Sequence, residues 1–185
     1  GQGKTRAGKT GAARKSASWR LLFLSAGEET LAAMMGKAGK SANAGQEIRL
    51  ADIEADAGAG MGAFENIHQS ETPAAFALAL KDAASAHHGA AGMEWLRCIV
   101  QDRADIAGMA SGALAQFVQA VCPPQVSGQA QRVARRFALV AFAGELASHY
   151  GITGWQQDQA TGAVKKCFAA WLDGFGGGGN KEGRA

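Results

Sequence analysis

The stretch Ser127-Gly-Gln-Ala-Gln-Arg-Val-Ala-Arg-Arg-Phe-Ala-Leu-Val-Ala-Phe-Ala-Gly-Glu-Leu-Ala-Ser-His-Tyr-Gly151 carries the clearest folding signal in this chain of 185 residues. Its apolar residues recur with the i, i+4, i+7, i+8, i+11 spacing of one helix face, made of Val133, Phe137, Val140, Ala141 and Gly144. The hydroxyl of Ser127 can cap the first turn, and Gly151 can end the helix. The stretch therefore predicts one long helix over about 128–150.

Three further helical segments surround this one. Thr72-Pro73 is typical of a helix start and predicts a helix over 73–88. The apolar stretch 91–121 predicts a long helix, with possible breaks at two glycines, and Pro123-Pro124 ends it. These glycines are Gly108 and Gly112. Thr153-Gly-Trp-Gln156 matches a capping box and predicts a helix over 156–174. Its inner side holds Val164, Phe168 and Trp171.

The N-terminal third has a different pattern, which predicts strands. Trp19-Arg-Leu-Leu-Phe-Leu24 is a short apolar run of the length of a buried strand, and Ser25-Ala-Gly-Glu28 then matches a capping box for a helix over 28–37. Residues 46–53 alternate like a second strand, and 64–68 form a short strand or a turn. Because so few strands rarely form a stable sheet alone, the pattern predicts a predominantly helical fragment of a larger α/β unit. The start at Gly1 fits a processed product or a fragment.

Composition narrows the class of protein. Hydrophobic residues make up 47% and charged residues 19% of the chain, which excludes a mainly disordered protein. No apolar run reaches the length of a membrane span, and no secretory signal is present, so we expect a cytoplasmic protein that does not enter a membrane. Cys98, Cys122 and Cys167 lie far apart in apolar helical contexts, which favours free thiols over a zinc site.

Positive charge is concentrated at one end. Residues 1–20 hold six basic side chains and no acidic one, whereas the other 165 residues hold 13 basic and 16 acidic side chains. Such a basic arm can contact the phosphates of nucleic acid or nucleotide, or it can be a solvated terminus.

One motif in this arm is misleading. Gly3-Lys-Thr-Arg-Ala-Gly-Lys-Thr10 fits the phosphate-loop pattern G-x-x-x-x-G-K-[ST], whose backbone N–H groups wrap phosphates. A true phosphate loop follows a buried strand and opens an amphipathic helix. Only two residues precede Gly3, and residues 11–18 lack an apolar helix face, so we interpret the match as coincidental.

A longer set of segments resembles a known bacterial family. The segments are 1–7, 19–28 (with Leu24-Ser-Ala-Gly-Glu28), 44–53, Gly62-Ala-Phe-Glu-Asn-Ile-His68, Gln131-Arg-Val-Ala-Arg-Arg-Phe137, Ala143-Gly-Glu-Leu-Ala147, Gly151-Ile-Thr-Gly-Trp155 and Phe168-Ala-Ala-Trp-Leu172. In order and spread they resemble the family catalogued as domain of unknown function 927. Ala26 departs from the Ser-Thr-Gly-Glu that is usual there, which puts a role of that position in doubt.

The resemblance implies a P-loop NTPase, helicase- or primase-like, of phages and integrated elements. Its phosphate loop and acidic Mg²⁺-binding strand would lie upstream of Gly1, so ATP and Mg²⁺ are implied for the intact parent and no cofactor is expected for this chain alone. The fold class is then a RecA-like fragment with a helical C-terminal bundle. Residues 1–70 would hold the incomplete core, 71–175 the helical region and 176–185 a flexible tail.

Within that interpretation, several side chains acquire candidate roles. Ser25 would end a core strand and position the attacking water, although it can equally be a helix N-cap. Arg6 would be an arginine finger or, with Lys4, a DNA contact, if the loop is not simply solvated. Arg132 and Arg136, one helical turn apart, form a phosphate-contacting edge or an ordinary solvated face.

The remaining candidates are structural. Glu28 belongs to the capping box, and Glu145, partly buried, would need a partner such as an arginine. Trp155 and Trp171 are interpreted as core anchors rather than stacking platforms for bases, and Trp19 opens the first strand. No metal-binding residues are predicted.

Two functions remain open at this point. The first is the downstream part of a DNA-acting ATPase, inactive alone, with DNA as partner and a ring-shaped homo-oligomer for the intact protein. The alternative is a non-catalytic helical module that binds nucleic acid or another partner and carries a basic arm.

Overall fold

The computed structural model describes residues 18, 21–40 and 48–176. They form six α-helices: α1 Leu31–Lys37, α2 Pro73–Ala86, α3 Ala90–Gln101, α4 Arg103–Val121, α5 Gly128–His149 and α6 Gln159–Gly174. None of these helices is long and apolar enough to cross a membrane.

The core lies between α4, α5 and α6. Helix α5 is central and packs against both α4 and α6. One buried cluster joins the first half of α5 to α6 and consists of Ile48, Val126, Ala130, Val133, Ala134, Phe168, Trp171 and Phe175. A second cluster joins the middle of α5 to α4 through Phe117, Ala138 and Ala141. The rings of Trp171 and Phe175 stack with centroids 4.8 Å apart, and Phe137 meets Phe168 edge-on at 5.5 Å.

Two of the predicted helix starts are confirmed. The hydroxyl of Thr72 accepts a hydrogen bond from the Ala75 N–H at the start of α2, and that of Ser127 accepts one from the Ala130 N–H at the start of α5. The predicted buried face of α5 is also confirmed in its main part, since Val133 and Ala141 are buried. Val140 is the exception: it is half exposed and lies on the outer side.

The long helical stretch divides elsewhere than predicted. It breaks into α3 and α4 at Asp102, whereas Gly108 and Gly112 lie inside α4 with open space around them. A helix tolerates glycine in its interior at a cost of about 1 kcal/mol, which packing of α4 on α5 offsets here.

The predicted α/β fold is wrong for the part of the chain that the structure describes, because that part contains no β-strand. Residues 21–24 are irregular, and their four large apolar side chains are exposed instead of lying in a sheet. Residues 48–53 and 64–68 form turns and irregular segments. A short apolar run forms a stable strand only where other strands pair with it, and the described residues contain no strand that could pair with these segments. The RecA-like sheet is therefore excluded for these residues.

Two helix starts also differ from the prediction. The first helix begins at Leu31 with Thr30 as its cap, so Ser25 and Glu28 do not form a capping box at its start. Helix α6 begins at Gln159 rather than 156. The Thr153 hydroxyl instead accepts a hydrogen bond from the Trp155 N–H, which closes a turn before the helix.

Helices α5 and α6 approach each other most closely at a glycine. A Cβ atom added to Gly144 would lie 2.6 Å from the Cβ of Ala160, closer than two such atoms can come. The two smallest residue types, glycine at 144 and alanine at 160, thus meet where the helices touch. A side chain at position 144 would push α6 away from α5.

Candidate functional site

Some of the predicted site residues lie outside the described residues. These are Lys4, Arg6, Trp19 and the phosphate-loop-like segment 3–10. Their predicted roles stay predictions.

The predicted nucleotide-sensing turn is not supported by the structure. Ser25 and Glu28 are exposed and lie in an irregular segment before α1. The core strand that Ser25 was expected to end does not form, so the geometrical reason for a sensor role is removed.

The arginine pair on α5 is divided between two environments. Arg132 is exposed at the helix surface, as a phosphate contact requires. Arg136, one turn later, is partly buried, and its guanidinium donates a hydrogen bond to the backbone carbonyl of Ile48. This bond attaches the segment that contains Ile48 to α5, next to the buried cluster that Ile48 joins. Arg136 therefore has a structural role, because it binds the Ile48 carbonyl. Arg132 does not take part in this contact.

Glu145 has a partner, but not the arginine that was expected. Its carboxylate accepts backbone hydrogen bonds from Thr161 N–H at 2.8 Å and from Asp158 N–H at 3.0 Å, at the start of α6. Partial burial would raise the pKa of Glu145, but these backbone donors outweigh it and hold the pKa below its ordinary value. Glu145 is thus a cap that α5 supplies to α6.

The two tryptophans predicted as anchors lie in different places. Trp171 is 5% exposed and belongs to the main core cluster. Trp155 is 51% exposed, in the turn before α6, so the expectation of a buried anchor is wrong there. One edge of its ring lies near Gly144, 3.8 Å from where a Cβ would stand.

A surface that sequence reasoning missed lies on α3. Met93, Leu96 and Val100 are 69%, 57% and 72% exposed, although they are large and apolar. Their spacing of three and then four residues places them in one line along the helix. We call these three residues the α3 stripe. Their spacing was visible in the sequence, but it gave no reason to think that this side of the helix would remain uncovered.

The opposite side of α3 holds the contacts that attach it to the fold. Cys98 is buried, and the ring of Trp95 lies 6.1 Å from that of Tyr150 at the end of α5. The hydroxyl of Tyr150 donates to Asp102 at 2.8 Å, at the junction of α3 and α4. Partial burial and this carboxylate raise the pKa of Tyr150 to about 12. The junction is thereby held against α5, and the α3 stripe is turned outward.

An ion pair lies beside the α3 stripe. Arg97 donates two hydrogen bonds to Glu94, at 2.9 and 2.5 Å, and Arg97 lowers the pKa of that carboxyl. The Cys98 thiol also contacts Glu94, at 3.5 Å. Burial and this carboxylate raise the pKa of Cys98, which disfavours the thiolate that a nucleophilic cysteine needs.

A groove of about 280 Å³ lies between α4, α5 and the start of α6. Its apolar lining consists of alanines together with Phe117 and Phe142. Glu145, Asp158 and Lys165 stand among its polar groups, but the Glu145 carboxylate is already engaged in capping α6. Among the described residues, no group of three or more His, Cys, Asp or Glu side chains could hold a metal ion.

In comparisons with known proteins, no family model matches the sequence, and no curated protein or solved structure matches it either. The resemblance to domain of unknown function 927 remains a hypothesis based on the segments quoted above.

Proposed function

We propose that this chain is a helical binding module that attaches to a partner protein through the α3 stripe. The observation that carries the proposal is the exposure of Met93, Leu96 and Val100 in a single line on one helix. Single exposed apolar residues are common on any surface, whereas apolar residues that lie together are typical of binding sites. Burial of each such side chain contributes about 1.5–3 kcal/mol, so a partner that covers the stripe gains stability.

The charge distribution favours a protein as the partner of α3. Residues 21–185, which include α3, hold 13 basic and 16 acidic side chains, a small excess of negative charge, whereas nucleic-acid binding depends on positive charge. Methionine, moreover, is enriched in protein–protein interfaces. An apolar stripe on a short helix is the surface that another helix or an apolar groove recognises.

Site-specific photocrosslinking tests this proposal. A photoreactive amino acid at Val100, in the full chain expressed in its own cells, should give an adduct of one defined mass. The matched control is Val140, a second exposed valine on a helix, which lies outside the stripe. Equal crosslinking at both positions, or none at Val100, would contradict the proposal.

A second candidate function rests on the basic arm and on the family resemblance. In it, the chain is the downstream portion of a DNA-acting P-loop ATPase, and the arm contacts DNA phosphates. Its support is the six basic and no acidic residues in 1–20 together with the quoted segments. The RecA-like strands no longer contribute to it.

Salt-dependent DNA binding tests this second candidate. Deletion of residues 1–18 should abolish binding at low salt, and the intact chain should lose affinity steeply as salt rises. DNA binding by the variant Arg132→Ala shows separately whether the surface of α5 contacts DNA. If the intact chain fails to bind DNA even at low salt, the second candidate fails while the protein-binding proposal is unaffected.

A further inference from the structure

We infer that the partner of the α3 stripe is a second copy of this chain, with the two α3 helices packed antiparallel. This inference rests on the proposed function and specifies the partner. Three features of α3 argue for it: the symmetry of the stripe, the neutrality of its flank, and the small residue on its other side.

The symmetry of the stripe suits a two-fold axis. Met93 and Val100 are equally far from a point just after Leu96, near the middle of α3, which spans Ala90–Gln101. In an antiparallel pair with its axis at that point, Met93 of each copy lies opposite Val100 of the other. The two Leu96 side chains meet near the centre. A long side chain thus faces a short one, and the surface is complementary to itself, as a two-fold interface requires.

The charged flank does not oppose this pairing. A two-fold axis brings the same flank of both helices together, so Arg97 of one copy approaches Arg97 of the other. Each guanidinium, however, already holds Glu94 of its own helix in a two-bond ion pair. The copies therefore bring together two neutral pairs and not two uncompensated cations.

The opposite flank permits close approach. Gly92 lies there, one position before Met93, and apart from its chain neighbours and the backbone of its own helix no described atom stands within 4 Å of where its Cβ would be. The missing side chain at this one position lets a partner helix come near enough there for the central apolar residues to touch.

The size of the surface predicts a weak dimer. A helix of 12 residues is about 18 Å long. The area that its three apolar side chains can bury is smaller than the roughly 800 Å² per partner of a standard interface. We therefore expect a dissociation constant of about 1–100 μM, set by how well the three layers fit.

Sedimentation equilibrium of the full chain, from about 1 to 300 μM, tests the inference. The intact chain should change from monomer to dimer across this range. Leu96→Glu places two carboxylates near the axis and should raise the dissociation constant at least tenfold. Val140→Glu, the same change at an exposed position outside the stripe, should leave it unchanged. Circular dichroism of each variant checks that the helices remain.

A pair of double variants tests the orientation. Met93→Lys with Val100→Glu places opposite charges across an antiparallel interface, so its dimer should survive. Met93→Glu with Val100→Glu places like charges there and should give a monomer. A dimer that survives the second variant, or one lost in both, would overturn the antiparallel arrangement.

The outcomes separate this inference from the proposed function. A chain that stays monomeric at every concentration, or a dimer indifferent to Leu96→Glu, overturns the inference. If the crosslink at Val100 then joins a different protein, the proposed function still stands. An adduct of twice the mass of the chain supports both the proposed function and the dimer.

Discussion

At the scale of single residues, Glu145 shows how a side chain in one helix can complete another. The residue before α6, Asp158, has a φ of 65°, and its side chain does not cap the helix. The first N–H groups of a helix need acceptors, and the carboxylate of Glu145 supplies them from α5. A negative charge at this end of α6 also interacts favourably with the helix dipole.

Replacing Glu145 should therefore weaken the attachment of α6. We expect Glu145→Ala to lower the free energy of unfolding by about 1 kcal/mol, the usual contribution of a helix cap. Glu145→Gln keeps an acceptor oxygen and should therefore lower the free energy of unfolding by a smaller amount. Urea unfolding at pH 7 measures both, and an alanine variant as stable as the intact chain would contradict the capping role.

The same carboxylate predicts a dependence on pH. Its pKa in the folded chain lies below the ordinary value of 4.5. The charged form therefore stabilises the fold above about pH 4.5, and this contribution is lost as the pH falls through the lowered pKa. The stability difference between the intact chain and Glu145→Gln should narrow as the pH falls from 5 to 3. A constant difference over that range would contradict this assignment.

Gly144 is the second residue whose effect can be predicted individually. Gly144→Ala would force a Cβ against Ala160, and we expect the overpacking to cost about 1–3 kcal/mol, more than the gain of about 0.5–1 kcal/mol in helix propensity. Gly112→Ala, in open space inside α4, should stabilise by about 0.5–1 kcal/mol. Thermal unfolding of both variants provides the comparison, and the same sign for both would contradict the close approach of α5 and α6.

At the scale of elements, the break between α3 and α4 is fixed by a contact from α5. Asp102 lies at the junction, and the hydroxyl of Tyr150 donates to its carboxylate. This bond joins residues 48 positions apart. The junction is thus anchored, whereas the two glycines inside α4 leave that helix unbroken.

The phenol of Tyr150 gives a direct readout of this anchor. It is the only tyrosine in the sequence, so absorbance at alkaline pH reports one group. We expect a pKa of about 12, because the phenolate would be partly buried beside Asp102. Since the folded pKa exceeds the ordinary value of 10, this contribution to stability is complete below pH 10 and is lost as the pH rises towards 12.

Substitution of the carboxylate tests the cause. Asp102→Asn removes the negative charge and should move the Tyr150 pKa down towards 10. Asp105→Asn, a carboxylate in the first turn of α4, is the matched control and should leave the titration in place. An unchanged Tyr150 pKa in Asp102→Asn would contradict the anchor.

At the scale of the whole molecule, the stabilising contacts are unevenly distributed. The buried clusters lie between α4, α5 and α6, whereas α2 contains no buried residue. Large apolar side chains such as Leu78 and Leu80 remain about half exposed on α2. Global stability should therefore depend on the second half of the chain.

Two truncations of large apolar side chains test this division. Phe168→Ala removes the largest fully buried side chain and should lower the free energy of unfolding by about 3–5 kcal/mol. Leu80→Ala, on the exposed side of α2, should change it by less than about 0.5 kcal/mol. Chemical denaturation followed by tryptophan fluorescence measures both, and comparable losses would show that α2 belongs to the core.

The sequence predicted well those features that depend on neighbouring residues. Thr72 and Ser127 mark helix starts because a hydroxyl can reach an N–H three residues later, and α5 follows from its apolar periodicity. The predictions at residues 21–24 and 48–53 were wrong because a strand is stable only with partners. Ile48, which lies in the second predicted strand, is buried, but it is buried against helices and not in a sheet.

What the sequence by itself determined is thus which stretches of 72–174 are helical and the main part of the inner side of α5, because periodicity and caps act within about four residues. The tertiary structure decided three further points: that Glu145 caps α6, that Arg136 holds the Ile48 carbonyl, and that the α3 stripe faces outward. Each depends on residues distant in sequence, or on a surface left without a neighbour. Their geometry arises only when α5 packs between α4 and α6, and no local pattern encodes it.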